Sequence, residues 1–197
     1  MKLKIGNSAP LFTAEAMTGK IVSLDDYRNN NLLIKFYRFS SCPICNLHLR
    51  NFVKHFDDIQ QQGLSVLCVF HSPISSMKKN QAHALPSELI ADPEKKIFRS
   101  YGVESSWTGM ISWNVVRDYF FAMKAGLPSG MLSHDGGIKG HPADFIINRD
   151  GKLVFAHYGR NYADSLSVAD IVTIAKELKL TTFHKIPALS VAEHSET

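Results

Sequence analysis

Cysteine is scarce in this chain, with 3 in 197 residues. So few, and an odd number, cannot form the paired framework of a small secreted domain, and a chain of this length buries a core without such staples. Compositional bias is also missing: 12 Gly and 8 Pro beside 45% hydrophobic residues exclude collagen-like, low-complexity and wholly disordered proteins. Neither sign of charge dominates, because 22 Lys and Arg against 18 Asp and Glu leave +4 with neutral His. The basic residues occur as pairs such as Lys78-Lys79 and Lys95-Lys96, not as a tract that would follow a nucleic acid. Apolar runs such as residues 66–70 fall far short of the roughly 20 residues that cross a bilayer. The opening MKLKIGNSAP leads into no apolar stretch of secretory-signal length. No internal repeat is visible. The expectation is one folded cytoplasmic domain with neither nucleic-acid nor membrane partners.

What is present is an alternation of strand-like and helix-like segments. Residues 31–39 (NLLIKFYRF) form an apolar, aromatic run suited to a buried strand. Ser40-Ser41-Cys42-Pro43-Ile44-Cys45 follows, and then Leu47, Leu49, Phe52, Val53 and Phe56 recur at roughly helical spacing up to Gly63. Ser41 suits the N-cap and Pro43 the first turn, which puts Cys42 at a helix N-terminus. Residues 64–70 (LSVLCVF) read as the next strand, completing a βαβ unit with parallel strands. A polar helix after Pro73, a strand at 88–91 and a helix opened by Asp92-Pro93 come next. Residues 143–148 and 152–157 flank Asp150-Gly151, the strongest hairpin signal in the chain. A helix over 167–178 follows, with Ile171, Ile174, Ala175 and Leu178 on one face, and residues 181–197 read as a loosely docked tail.

Residues 104–140 exceed a minimal three-layer domain. Ile111, Val115, Val116, Tyr119, Phe120 and Met123 suggest an inserted helix, with a glycine-rich loop after it. That helix caps one side of the core or presents a dimer or substrate surface.

The chemistry is expected at the Cys-x-x-Cys pair. A thiol at its ordinary pKa of about 8.5 is only a few per cent thiolate near neutrality, and thiolate is the nucleophile. A helix N-terminus aims unsatisfied N–H groups and a partial positive charge at such a sulfur. Cys42 is then the exposed attacker, and Cys45, one turn on and shielded, the resolving thiol. Three other readings compete. Half of a zinc site would need two further ligands, of which only His48 has suitable spacing. A c-type haem would need His where Asn46 stands. Two inert core cysteines is the third. Cys68, inside an apolar strand, is expected to pack. Arg38, four residues before Cys42, can stabilise a thiolate or orient a peroxide. His48, His55, His71 and His83 are expected on solvated faces, whereas His141, before Pro142, is expected to face the helix N-terminus.

These pieces, in their order, resemble the thioredoxin-fold superfamily and, within it, the peroxiredoxins of the alkyl hydroperoxide reductase and thiol-specific antioxidant type. IGNSAPLFTAEAMTGKIVSLDDYR is similar to their N-terminal hairpin, ADPEKKIFRSYGV to their Asp-led helix, and GHPADFIINRDGKLVFAHYG to their closing hairpin. FYRFSSCPICNLHLR is similar to a branch with Phe-Tyr-Arg before Cys-Pro-x-Cys. The resemblance implies an α/β, thioredoxin-like fold over residues 1–180: a central mixed β-sheet flanked by helices, with an N-terminal β-hairpin and an inserted helix. It implies Cys42 as peroxidatic cysteine, Cys45 as its resolving partner and Pro142 as a cis-proline packed against the pair, with no metal or other cofactor. The implied activity is reduction of hydrogen peroxide or alkyl hydroperoxides, with an external dithiol such as a thioredoxin as reductant and a homodimer as one assembly. A thiol–disulfide oxidoreductase acting on protein disulfides, or a redox-switched binding module, uses the same pair differently. One departure stands out. The positions seven and three before Cys42, Pro and Thr in typical members, are Lys35 and Phe39 here, so Ser40, Ser41 or Arg38 would have to supply the missing hydroxyl's hydrogen bond.

Overall fold

Two stretches of this chain, residues 31–37 and 64–70, are buried at every position, as strands covered on both faces must be. They form the middle of the sheet in a computed structural model that describes residues 1–80, 87–103, 113–126 and 140–180. The elements in chain order are β1 (Thr13–Glu15), β2 (Ile21–Ser23), β3 (Asn31–Tyr37), α1 (Pro43–Lys54), α2 (Phe56–Gln60), β4 (Leu64–Phe70), α3 (Ile74–Asn80), β5 (Leu89–Ala91), α4 (Lys96–Ser100), α5 (Trp113–Lys124), β6 (Ala143–Ile147), β7 (Leu153–Tyr158) and α6 (Val168–Glu177). β1 and β2 pair as the expected hairpin. The other five strands make one mixed sheet in the order β5-β4-β3-β6-β7. β3, β4 and β5 run parallel, while β6 is antiparallel to both its neighbours.

Alternation along the strands sorts the core into two layers. Leu33, Tyr37, Val66, Cys68 and Phe70 face a cluster with Leu49, Phe52, Ile59 and Ile171, on helices α1, α2 and α6. Leu32, Ile34, Phe36, Leu67 and Val69 face the other way, toward Ile97 and Phe98 of α4 and Val22 of the hairpin. Early residues also reach both edges of the sheet. Gly6 N donates to Leu153 O, Leu153 N to Asn7 O and Ala9 N to Gly151 O along the start of β7, while Met17 N donates to Leu89 O on β5.

Four local expectations are corrected. The first helix stops at His55, where φ is −118°, and restarts as α2. The helix after Asp92-Pro93 begins only at Lys96, although Asp92 still caps it by accepting from Lys96 N (2.8 Å) and Phe98 N (3.0 Å). On α5, Val116, Phe120 and Met123 are exposed while Asp118 and Ala122 are buried. Val115 and Tyr119 of the expected face do pack against the core, and Asp118 Oδ2 beside them contacts His48 Nε2 of α1 at 3.1 Å, so only part of the anticipated apolar face is buried. His71 is buried, its ring packed edge-on between Phe39 and Phe98 at centroid distances of 6.1 and 5.5 Å. Ile111, His83, most of the glycine-rich loop and the tail at 181–197 lie outside the described residues. Among the described residues no helix is long and apolar enough to cross a membrane.

Candidate active site

The residue before a proline is driven to extended backbone, and proline itself is at home at the first helical position. Pro43 takes that position, so the N-cap is Cys42, at φ −68° and ψ 118°, one residue later than the Ser41 the sequence suggests. The cap acceptor is therefore a sulfur: Cys42 Sγ receives Cys45 N at 3.4 Å. Asn46 Nδ2 braces the turn by donating to Ser40 O (2.7 Å) and Cys42 O (2.9 Å).

Arg38, just beyond the end of β3, donates from Nη1 to Cys42 Sγ at 3.7 Å and is only 4% exposed. Burial opposes the Cys42 thiolate, but the Cys45 side-chain hydrogen bond, the Arg38 charge and the N–H groups of Cys45 and Ile44 outweigh it, lowering the thiol to about 6. Cys45 moves the other way: burial, then its hydrogen bond to Cys42 and the charge there, hold it protonated well above the ordinary thiol range. One sulfur is a ready nucleophile and its neighbour a reserve of proton and thiol. Cys68 is buried in β4 and pushed up to about 12 by burial, in keeping with packing. All three thiols are free. The expected exposure of Cys42 is corrected, since it is 1% exposed and shares one apolar cluster with Cys45.

Other anticipated residues separate into near and far. Ser40 Oγ accepts from Asn80 Nδ2 (3.2 Å), and Ser72 Oγ accepts from Ser40 N (2.8 Å). Ser41 is buried in the turn before Cys42. The cis His141–Pro142 bond is also corrected: no peptide among the described residues is cis. The trans form, favoured by about 0.5–1 kcal/mol at X–Pro bonds, leaves Pro142 O accepting from Gly159 N at 2.9 Å, one step beyond the β6–β7 ladder. His141 Nδ1 contacts Gly159 O at 2.9 Å, and its ring meets Tyr162 edge-on at 5.7 Å.

Tyr162 was not anticipated. The Arg38 guanidinium carbon lies 3.5 Å from its ring centroid, yet Tyr162 sits in an irregular segment far downstream with no motif around it. Only the fold brings it to Arg38. A cavity of about 660 Å³ lies elsewhere, between α1, α5 and the segment before α6, with Lys35, Phe52 and Arg117 on its walls and neither Cys42 nor Cys45 among them.

A helix-capping cysteine kept ionised at the end of a central strand, with a protonated thiol one turn on, belongs to the thiol redox proteins of thioredoxin-like fold. The model of the AhpC/TSA family matches residues 5–156, and the chain belongs to that family. It is an oxidoreductase, a thiol-dependent peroxidase. A peroxiredoxin-named protein of Mycobacterium tuberculosis is 26% identical over 160 residues, covering 80% of this chain and 86% of that protein. A peroxiredoxin-named bcp protein of Haemophilus influenzae is 32% identical over 104 residues, covering 51% and 66%. Among solved structures, a cysteine mutant of peroxiredoxin 6 of Arenicola marina superposes with a TM-score of 0.68 at 15% identity, over 90% of this chain and 74% of that one. Peroxidoxin BcpB from Mycobacterium tuberculosis gives 0.64 at 13% identity, over 89% and 98%. At such identities the structural likeness shows the fold alone.

Proposed function

We propose that Cys42 is the attacking thiolate of this peroxidase and Cys45 its resolving thiol. The Cys42 sulfur takes the distal oxygen of hydrogen peroxide or an alkyl hydroperoxide, and the O–O bond breaks to give a sulfenic acid and water or an alcohol. Cys45 then attacks that sulfur and expels water, closing a disulfide. An external dithiol such as a thioredoxin opens the disulfide by exchange and is itself oxidised. Arg38 stabilises the thiolate, and Ser41 lies buried in the turn that precedes it. A cytoplasmic setting, where dithiol reductants are maintained, suits the cycle. The observation that carries this reading is the convergence of Cys45 N and Arg38 Nη1 on Cys42 Sγ.

Peroxide consumption coupled to a thioredoxin system tests the cycle. Cys42→Ser is expected to abolish turnover. Cys45→Ser is expected to complete one oxidation and stop at a sulfenic acid that dimedone traps. Turnover surviving in Cys42→Ser would overturn the assignment. Rapid protein-disulfide reduction with negligible peroxide turnover in the wild type would make the protein a disulfide oxidoreductase instead.

A further inference from the structure

Thiolate attack on a peroxide leaves a hydroxide or alkoxide, and a hydrogen-bond donor aimed at that oxygen lowers the barrier. The segment before Cys42 offers few candidates. Phe39 has no donor and Arg38 Nη1 is directed at the sulfur, which leaves the buried hydroxyls of Ser40 and Ser41 as the competing donors in this segment.

Tyr162 has a donor to offer. It is 6% exposed, and its hydroxyl has no hydrogen-bond partner among the described residues, although buried hydroxyls are nearly always satisfied. Its ring lies against the guanidinium that contacts Cys42 Sγ. Burial raises the phenol, Arg38 lowers it and the Cys42 charge raises it, so the hydroxyl is within electrostatic reach of both groups and stays protonated. Tyr37 and Tyr101 also have open buried hydroxyls, so the vacancy alone is not diagnostic. Their rings pack in the two sheet cores, against Phe70 and Phe145 respectively. Tyr162 is set apart by its contact with Arg38.

We infer that Tyr162 is a further catalytic residue, whose ring holds Arg38 against Cys42 and whose hydroxyl donates to the peroxide oxygen that leaves. The inference rests on the reading of Cys42 as the attacking thiolate. In that step the S–O bond forms as the O–O bond breaks, and the distal oxygen keeps its hydrogen as Cys42–SOH. The electron pair departs with the other oxygen, which receives the Tyr162 hydrogen bond and then a proton from water. Tyr162 gives up no proton.

Tyr162→Phe keeps the ring and removes only the donor. Its peroxide oxidation of Cys42, followed by stopped flow, is expected to slow by roughly 100- to 1,000-fold, in the range found when one such donor is lost. Alkylation of Cys42 by iodoacetamide, which needs the thiolate but no donor for an oxygen, is expected to keep its wild-type rate and pH midpoint. Tyr162→Leu, which also removes the ring, is expected to slow both reactions and move the alkylation midpoint upward. A Tyr162→Phe variant that matches wild type on peroxide overturns the inference, as does one that slows peroxide and iodoacetamide equally. A wild-type protein that is alkylated normally but ignores peroxide overturns the underlying assignment and the inference with it.

Discussion

Arg38 shows how one side chain can set the chemistry of another. With five fixed donors and a charge that is never lost, it serves a sulfur and an aromatic face at once. Replacing it with Met keeps bulk and removes charge. The midpoint of thiolate ultraviolet absorbance is then expected to rise from about 6 toward the ordinary thiol value, with a matching loss of reactivity at neutral pH. A midpoint left in place would assign the shift to the helix N-terminus and Cys45 alone. At this scale the sequence discloses whatever lies close along the chain. Cys42, Cys45 and Arg38 fall within eight consecutive residues, and helix-cap rules give their chemistry. Tyr162 and the burial of Cys42 depend on which distant segments close over the site, and no local spacing encodes that.

Among the elements, strands announce themselves best, because burial on both faces leaves continuous apolar runs; β4 matches its expected range residue for residue. Helix α5 is the opposite case: apolar side chains lie around much of it, and Val115 and Tyr119 pack against the core while Val116, Phe120 and Met123 stay exposed. β3 carries another feature that hydrophobic patterning conceals. Lys35, where typical family members have proline, is buried, with Nζ 2.5 Å from Asp144 Oδ1 on β6 and 3.3 Å from Leu166 O. Asp144 Oδ2 accepts from Leu166 N at 2.9 Å. The pair thereby ties two central strands to the segment that follows Tyr162. Asp144→Ala strands an ammonium group in the core and is expected to cost about 3–5 kcal/mol in denaturant unfolding. Lys35→Met combined with Asp144→Leu is expected to recover most of that loss, whereas an equally unstable double variant would show that the contribution is more than charge compensation.

For the whole molecule, the thiols make stability depend on pH in two opposing ways. Cys42 has its folded value depressed to about 6 against an unfolded value of about 8.5. Its contribution is full above the unfolded value and is lost as pH falls through the folded one. Cys68, raised to about 12, stabilises below the unfolded value and loses that contribution as pH climbs toward the folded one. Cys45 acts in the same sense as Cys68. Denaturant unfolding of the reduced protein is therefore expected to show the thiol contribution rising from about pH 6 and declining above about pH 8.5. Cys42→Ser flattens the rising side, and Cys68→Val reduces the falling one. A rising side unchanged in Cys42→Ser would mean that the Cys42 thiol is not acidified in the fold.

The early residues that hydrogen-bond along β7 and β5 act at this scale too. An open strand edge is a template on which another chain can add, and here residues 6–9 occupy part of one edge while Met17 occupies the other. Deleting residues 1–9 is expected to give concentration-dependent light scattering under reducing conditions; a variant that stays clear would place the protection elsewhere on the edge. A stretch without any cysteine thus helps decide whether the enzyme persists as discrete particles or grows into polymer.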